Sequence, residues 1–187
     1  MLNSQSNFSI GISKRLYLYF ALLLLLIPIR LLFAAIVSAA IHELFHIAAL
    51  YWTNTEIYSI RIDVHGAKID TAPMTYRQEL VCALAGPLGG GLLLLFARWM
   101  PLVALSGAIQ SLYNLLPLYP TDGGRALNCI LHFVFADEAA TKILVITETI
   151  FLMIMIACSI YCFAILRLGS IPMVFAAALV LQWENRK

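Results

Sequence analysis

The chain has 187 residues, of which 62% are hydrophobic and only 12% charged, with a mean hydropathy of +0.90. Soluble domains carry roughly 25% charge, so the composition excludes an ordinary soluble protein and points to an integral membrane protein, with a length that fits one compact domain over residues 1–187. A net charge of +2 without a basic cluster excludes nucleic acid as a partner.

The first patterned stretch, "FSIGIS" (8–13), alternates and predicts either a strand or a disordered tail. Lys14 and Arg15 then precede an apolar run at 16–27, and small residues follow at 38–40, as around a signal-peptide cleavage site. Hydrophobicity continues past that point, so the segment is expected to be retained as a first transmembrane helix. A single helix over 16–52 would be about 55 Å long against a bilayer core of about 30 Å. The run therefore folds back at Pro28 and Arg30, giving a short helix at 16–29 and a second at 32–52.

"EIYSIRIDVHGAKIDTA" (56–72) changes to a period of two around His65-Gly66 and predicts a β-hairpin. A helix at 78–98 carries Gly86 and Gly90 in G-x-x-x-G spacing for close helix approach, and Pro87 is expected to kink it. Further helices are predicted at 101–116, from the turn-rich "PLYPTDGGR" to about 135, at 140–166 and at 171–183. The expected fold class is all-α: a polytopic bundle of about six transmembrane helices with a small membrane-edge β-hairpin or sheet. Six spans put both termini on one side, together with Lys14, Arg15, Arg61, Lys68, Arg77, Arg125, Lys142, Arg186 and Lys187. Only Arg30, Arg98 and Arg167 lie opposite, so the termini and the hairpin are expected in the cytoplasm of a multi-pass cell-membrane protein. Cys82, Cys129, Cys158 and Cys162 form no C-x-x-C pair and read as small apolar packing residues.

"IHELFHIAAL" (41–50) places ionisable residues inside this apolar background. Such residues are costly in hydrocarbon and mark function. His42 and His46 are four apart, so both face one way on a helix and two imidazole nitrogens can reach one metal. Glu43 is offset by about 100° and can stand beside that metal without ligating it. H-E-x-x-H is the arrangement of two zinc ligands plus a general base. A catalytic zinc needs a third protein ligand, and His65, Asp122, His132, Asp137 and Glu148 are the candidates. Asp122 is the strongest, because Pro120 and two glycines around it form a tight bend that can mount a carboxylate close to another element. Ser106, Gln110 and Asn114 share a face of the preceding helix, and Asn114 lies nearest the bend. Glu148 is expected near the interface, bonded to a neighbouring helix, or lining a water path, and His132 reads as a polar contact near the interface.

H-E-x-x-H in an early helix, "AGPL" in a middle one and then "NLLPLYPTDGG" resemble the site-2 protease family of intramembrane zinc metalloproteases, and the compact layout looks most like its sporulation-type branch. The late pattern falls on Asn114, Pro117, Pro120, Asp122 and Gly123. The resemblance implies His42, His46 and Asp122 as ligands of one Zn2+, Glu43 as catalytic base, and a hairpin that helps to place substrate. The chain departs from the family at Phe45, usually Gly, and at Gly90, often Asn, and no PDZ or CBS domain is expected.

The expected activity is hydrolysis of peptide bonds in or near transmembrane segments of membrane-bound substrates. Asn114 would orient water or substrate, and Arg61 or Ile62 would present a free strand edge to the substrate. The expected partners are a membrane-protein substrate, the lipid bilayer and a regulatory membrane partner. The alternatives are a catalytically silent scaffold that binds helices and an ion transporter. Glu43 argues against the first, and the lack of a second set of membrane-depth ligands argues against the second.

Overall fold

The computed structural model describes residues 9–12, 17, 23–63, 66–167 and 169–184. The chain divides into two compact units that part between Tyr113 and Asn114.

The first unit opens with strand β1 (Ser9–Ile12). Most of the first predicted helix lies outside the described residues, but 23–26 are helical and the chain breaks at Ile27–Pro28 as expected. Helix α1 spans Ile29–Trp52, starting three residues earlier than predicted. Pro28 fixes its own backbone at φ −52° and its carbonyl accepts from the Leu31 and Leu32 amides, so the helix starts directly after it. The buried positions of α1 include Ala34, Ser38, His42, His46 and Ala49, one seam at helical spacing, while Leu31, Phe33, Ile36 and Leu44 are exposed on the faces that lipid would cover. The Thr53 hydroxyl donates to the Ala49 carbonyl at 2.9 Å, and Asn54 takes a left-handed conformation (φ 52°) that turns the chain into the sheet.

Strands β2 (Ile57–Asp63) and β3 (Gly66–Thr71) form the predicted antiparallel hairpin, whose residues 64–65 lie outside the described set. β1 pairs parallel to β2, with Gly11 opposite Arg61 and Ile12 opposite Ile62. The sheet order is β1-β2-β3, so β2 is the central strand. Neither Arg61 nor Ile62 therefore faces a free edge; the outer edges belong to β1 and β3. Ser59 and Arg61 lie on one face with Asp70, whose carboxylate accepts from Ser59 Oγ at 2.5 Å and Arg61 Nη2 at 2.7 Å. The Ser59 hydrogen bond first and the guanidinium second hold the Asp70 carboxyl below its ordinary range.

Helix α2 (Tyr76–Leu92) starts at a reciprocal cap between Thr75 and Gln78 and runs through Pro87 without a break. Gln78 Nε2 also donates to the Thr53 carbonyl at 3.0 Å, tying the start of α2 to the end of α1. A 3-10 turn at Leu93–Phe96 leads to α3 (Pro101–Asn114). Ala34, Leu93 and Val103 form a core cluster backed by Val37 and Ile41.

In the second unit, a bend leads into α4 (Asp122–Val134), followed by α5 (Asp137–Ala164) and α6 (Ile171–Glu184). Leu131, Ala140 and Leu144 form the core between α4 and α5. Among the described residues, three helical segments are long and apolar enough to cross a membrane: Ile29–Trp52, Tyr76–Phe96 and Asp137–Ala164. The 14-residue α3 is about 21 Å long, short of a bilayer core. Six spans remain an expectation from the sequence.

Candidate active site

Regular helix geometry builds the histidine pair of the first unit. α1 holds His42 and His46 one turn apart, 3% and 7% exposed. Their rings meet edge to face at 81°, and their Nε2 atoms are 3.1 Å apart. His46 Nδ1 donates to the Cys82 carbonyl of α2 at 2.8 Å. That bond puts the ring proton on Nδ1 and leaves the Nε2 lone pair for a ligand, the usual outer-shell arrangement of a metal-bound histidine. Two nitrogens bound to one tetrahedral zinc at about 2.0–2.1 Å would be roughly 3.3–3.4 Å apart. The pair is within a few tenths of an ångström of that separation, and its donor set suits zinc.

Gly86 explains the "AGPL" stretch. A Cβ there would lie 2.3 Å from His46 Nε2 and 2.7 Å from His42 Nε2. Any side chain would occupy the space into which both nitrogens point. The G-x-x-x-G pair thus divides its work: Gly86 faces the imidazoles, whereas a Cβ at Gly90 would meet Ser111 Oγ at 2.4 Å and the Gly107 carbonyl at 3.0 Å. Gly90 therefore permits close approach of α3. Gly89 makes room for Phe45, whose ring carbon Cγ would sit 2.4 Å from an added Cβ. The large residue of this "HELFH" is accommodated by a glycine on the facing helix. Glu43 is half-buried beside the pair.

In the second unit, Asp122 follows an irregular bend. Thr121 caps α4: its hydroxyl donates toward the Leu116 and Leu118 carbonyls, each at 2.7 Å, and accepts from the Gly124 amide at 3.4 Å. A Cβ at Gly123 would lie 2.3 Å from the Leu115 carbonyl oxygen, and one at Gly124 would lie 2.4 Å from the Tyr119 nitrogen. Both glycines are thus required by backbone packed against the first turn of α4. Asp122, the first residue of that turn, is 7% exposed, and Arg125 Nη1 lies 3.7 Å from its Oδ1. Asn114 ends α3 and is half-buried, as are Ser106 and Gln110 on the predicted stripe.

Among the described residues, His42 and His46 in the first unit and Asp122 in the second are buried, and each offers an atom of the kind that ligates a metal ion. The other candidates are committed elsewhere or not described. His132 Nδ1 donates to the Asn128 carbonyl at 2.8 Å in its own helix. The Asp137 side chain is exposed at the start of α5. Glu148 is fully buried and accepts hydrogen bonds from Tyr119 and Trp183. His65 lies outside the described residues. The sequence gives no advance sign of the Cys82 carbonyl or Arg125 as neighbours of the ligands, because both contacts depend on helix packing and turn geometry.

No family model and no curated protein matches the chain. Among solved structures it is similar to the Site-2 Protease from Methanocaldococcus jannaschii, at 21% identity and a TM-score of 0.66 over 99% of this chain and 93% of that one. That likeness shows the fold: the chain has the architecture of a site-2 protease.

Proposed function

We propose that the chain is an intramembrane zinc metalloprotease that hydrolyses peptide bonds in or near transmembrane segments of membrane-bound proteins. His42, His46 and Asp122 would hold one zinc and leave a position open for water. The observation that carries the reading is the convergence of the two histidine Nε2 atoms at 3.1 Å against Gly86. When bound, zinc supplies Lewis acidity that polarises a carbonyl and lets water lose a proton near neutral pH. The chain's own residues do the rest. The Cys82 carbonyl holds the His46 ring with Nε2 turned inward. Glu43 takes a proton from the attacking water and delivers it to the leaving amine, so that the water oxygen ends on the carbonyl carbon as the C–N bond breaks. The Asn114 carboxamide orients water or substrate.

A helical substrate must be unwound before its carbonyls are accessible, and each backbone group freed in a dry environment costs several kcal/mol. An outer edge of the three-stranded sheet, on β1 or β3, would offset that by pairing with the extended chain. Intact Glu43 favours an enzyme over a silent helix-binding scaffold, since metal binding alone needs no base.

Purified protein in detergent, offered a helical transmembrane peptide, tests the reading. Wild type should cleave, and Glu43→Gln should retain zinc while its rate falls by about 10²–10⁴. Equal cleavage by both proteins would refute the assigned base, and failure of zinc-loaded wild type to cleave would favour the scaffold. The proposed orientation has its own test. Ser4→Cys and Glu184→Cys in a background without the native cysteines should resist an impermeant thiol reagent in intact cells and react once the cells are opened.

A further inference from the structure

We propose that Glu148 is a positioning residue for the candidate metal site, holding in place the bend from which Asp122 projects; the inference rests on the metalloprotease reading above. Glu148 is the one charged residue of α5 beyond Lys142, in a helix of 28 residues, and is 0% exposed. A carboxylate at such depth is tolerated where its oxygens are satisfied. Both are: Oε1 accepts from the Tyr119 amide at 3.0 Å, and Oε2 accepts from Trp183 Nε1 at 3.1 Å. The flanking threonines do nothing comparable. Thr147 and Thr149 donate back to the Ile143 and Val145 carbonyls of their own helix. Of these three neighbours, Glu148 is the one seen to bridge to other elements.

The place it reaches matters. Tyr119 belongs to the backbone stretch against which Gly124 packs, since a Cβ on Gly124 would lie 2.4 Å from the Tyr119 nitrogen. Next come Pro120, the capping Thr121 and Asp122. A hydrogen bond at Tyr119 therefore fixes the backbone three residues before the carboxylate, against the same helical turn that carries it. Thr121 secures the bend internally through the Leu116 and Leu118 carbonyls. Glu148 anchors it externally to α5 and, through Trp183, to α6. The sequence leaves Glu148 near the interface, bonded to a neighbouring helix or lining a water path, and cannot name a partner 29 residues away.

The test compares wild type, Glu148→Gln and Glu148→Ala by amide exchange over 115–121 in metal-free protein and by zinc affinity in chelator competition. Outer-shell partners typically govern metal affinity by about 10–100-fold, so Glu148→Ala should weaken zinc binding by that factor and speed exchange in the bend, with helical content unchanged. Glu148→Gln keeps an acceptor for the Tyr119 amide and should hold zinc affinity within about threefold of wild type, a rescue that loss of general stability would not show. Wild-type zinc affinity in Glu148→Ala would overturn the proposal, as would a Gln variant as weak as Ala. If Glu148→Ala does not fold, the Gln variant decides: retained zinc affinity and bend protection support the role, and a tenfold or greater loss overturns it. A wild type that takes up no zinc refutes the metalloprotease reading, whereas unchanged exchange in Glu148→Ala refutes the grip on the bend.

Discussion

The histidine pair on α1 and the bend before α4 present polar atoms by opposite means. His42 and His46 are placed by helical spacing, the His46 ring is turned by its bond to the Cys82 carbonyl, and Gly86 leaves open the space that their Nε2 atoms face. Asp122 has no such regular frame. Its position depends on a cap from Thr121, two glycines pressed against backbone, and a distant carboxylate at Tyr119. A helix supplies accuracy through its repeat, so its neighbours add one hydrogen bond and otherwise leave the space clear. A bend must be held at several points, and each hold is a separate contact that can be lost.

The two glycines give the strongest contrast. Gly86→Ala intrudes on imidazole nitrogens, the movable ends of side chains, so the fold should survive while the nitrogens part. We expect zinc affinity to fall by about 10–100-fold or more and cleavage to fall with it, at near-wild-type helicity and melting temperature. Gly123→Ala intrudes on the Leu115 carbonyl, which is backbone. We expect overpacking to cost about 1–3 kcal/mol, seen as a lower melting temperature, with zinc uptake following the folded fraction. Equal melting losses in both variants would remove the distinction. Thr121→Ala should do less, about 1 kcal/mol for a lost cap, and Thr121→Ser should restore it.

That contrast also explains what the sequence makes legible. The H-E-x-x-H pair is local, and its period alone puts both rings on one face. The hairpin is local too, and alternation predicts β2 and β3. The parallel pairing of β1 with β2 is non-local: alternation at 8–13 leaves a strand or a disordered tail open and names no neighbour. For that reason Arg61 and Ile62 read as edge residues, although they lie on the central strand. "PTDGG" announces a bend but not the Leu115 and Tyr119 backbone that makes both glycines necessary. Glu148 is visible as the one charge of its helix beyond Lys142, while its donors at Tyr119 and Trp183 emerge only from packing.

The smallest effect belongs to the sheet. The folded Asp70 carboxyl lies below its ordinary value of 3.8, because Ser59 and then Arg61 favour its charged form. Its contribution to the hairpin is therefore present above that value and lost as pH falls through the lower folded one. Amide protection of β2 and β3, corrected for intrinsic exchange, should decline slightly over that range. Asp70→Asn should abolish the decline and leave zinc affinity at neutral pH unchanged.

On the proposed function, the helix pair and the bend together hold one zinc. Zinc K-edge X-ray absorption on purified protein, wild type against Asp122→Ala, tests it most directly. Wild type should show two imidazole nitrogens at about 2.0–2.1 Å and oxygen donors at about 2.0–2.2 Å. In Asp122→Ala, the carboxylate contribution should vanish and zinc should bind more weakly. Sulfur in the first shell, or an identical spectrum and affinity in the variant, would contradict it.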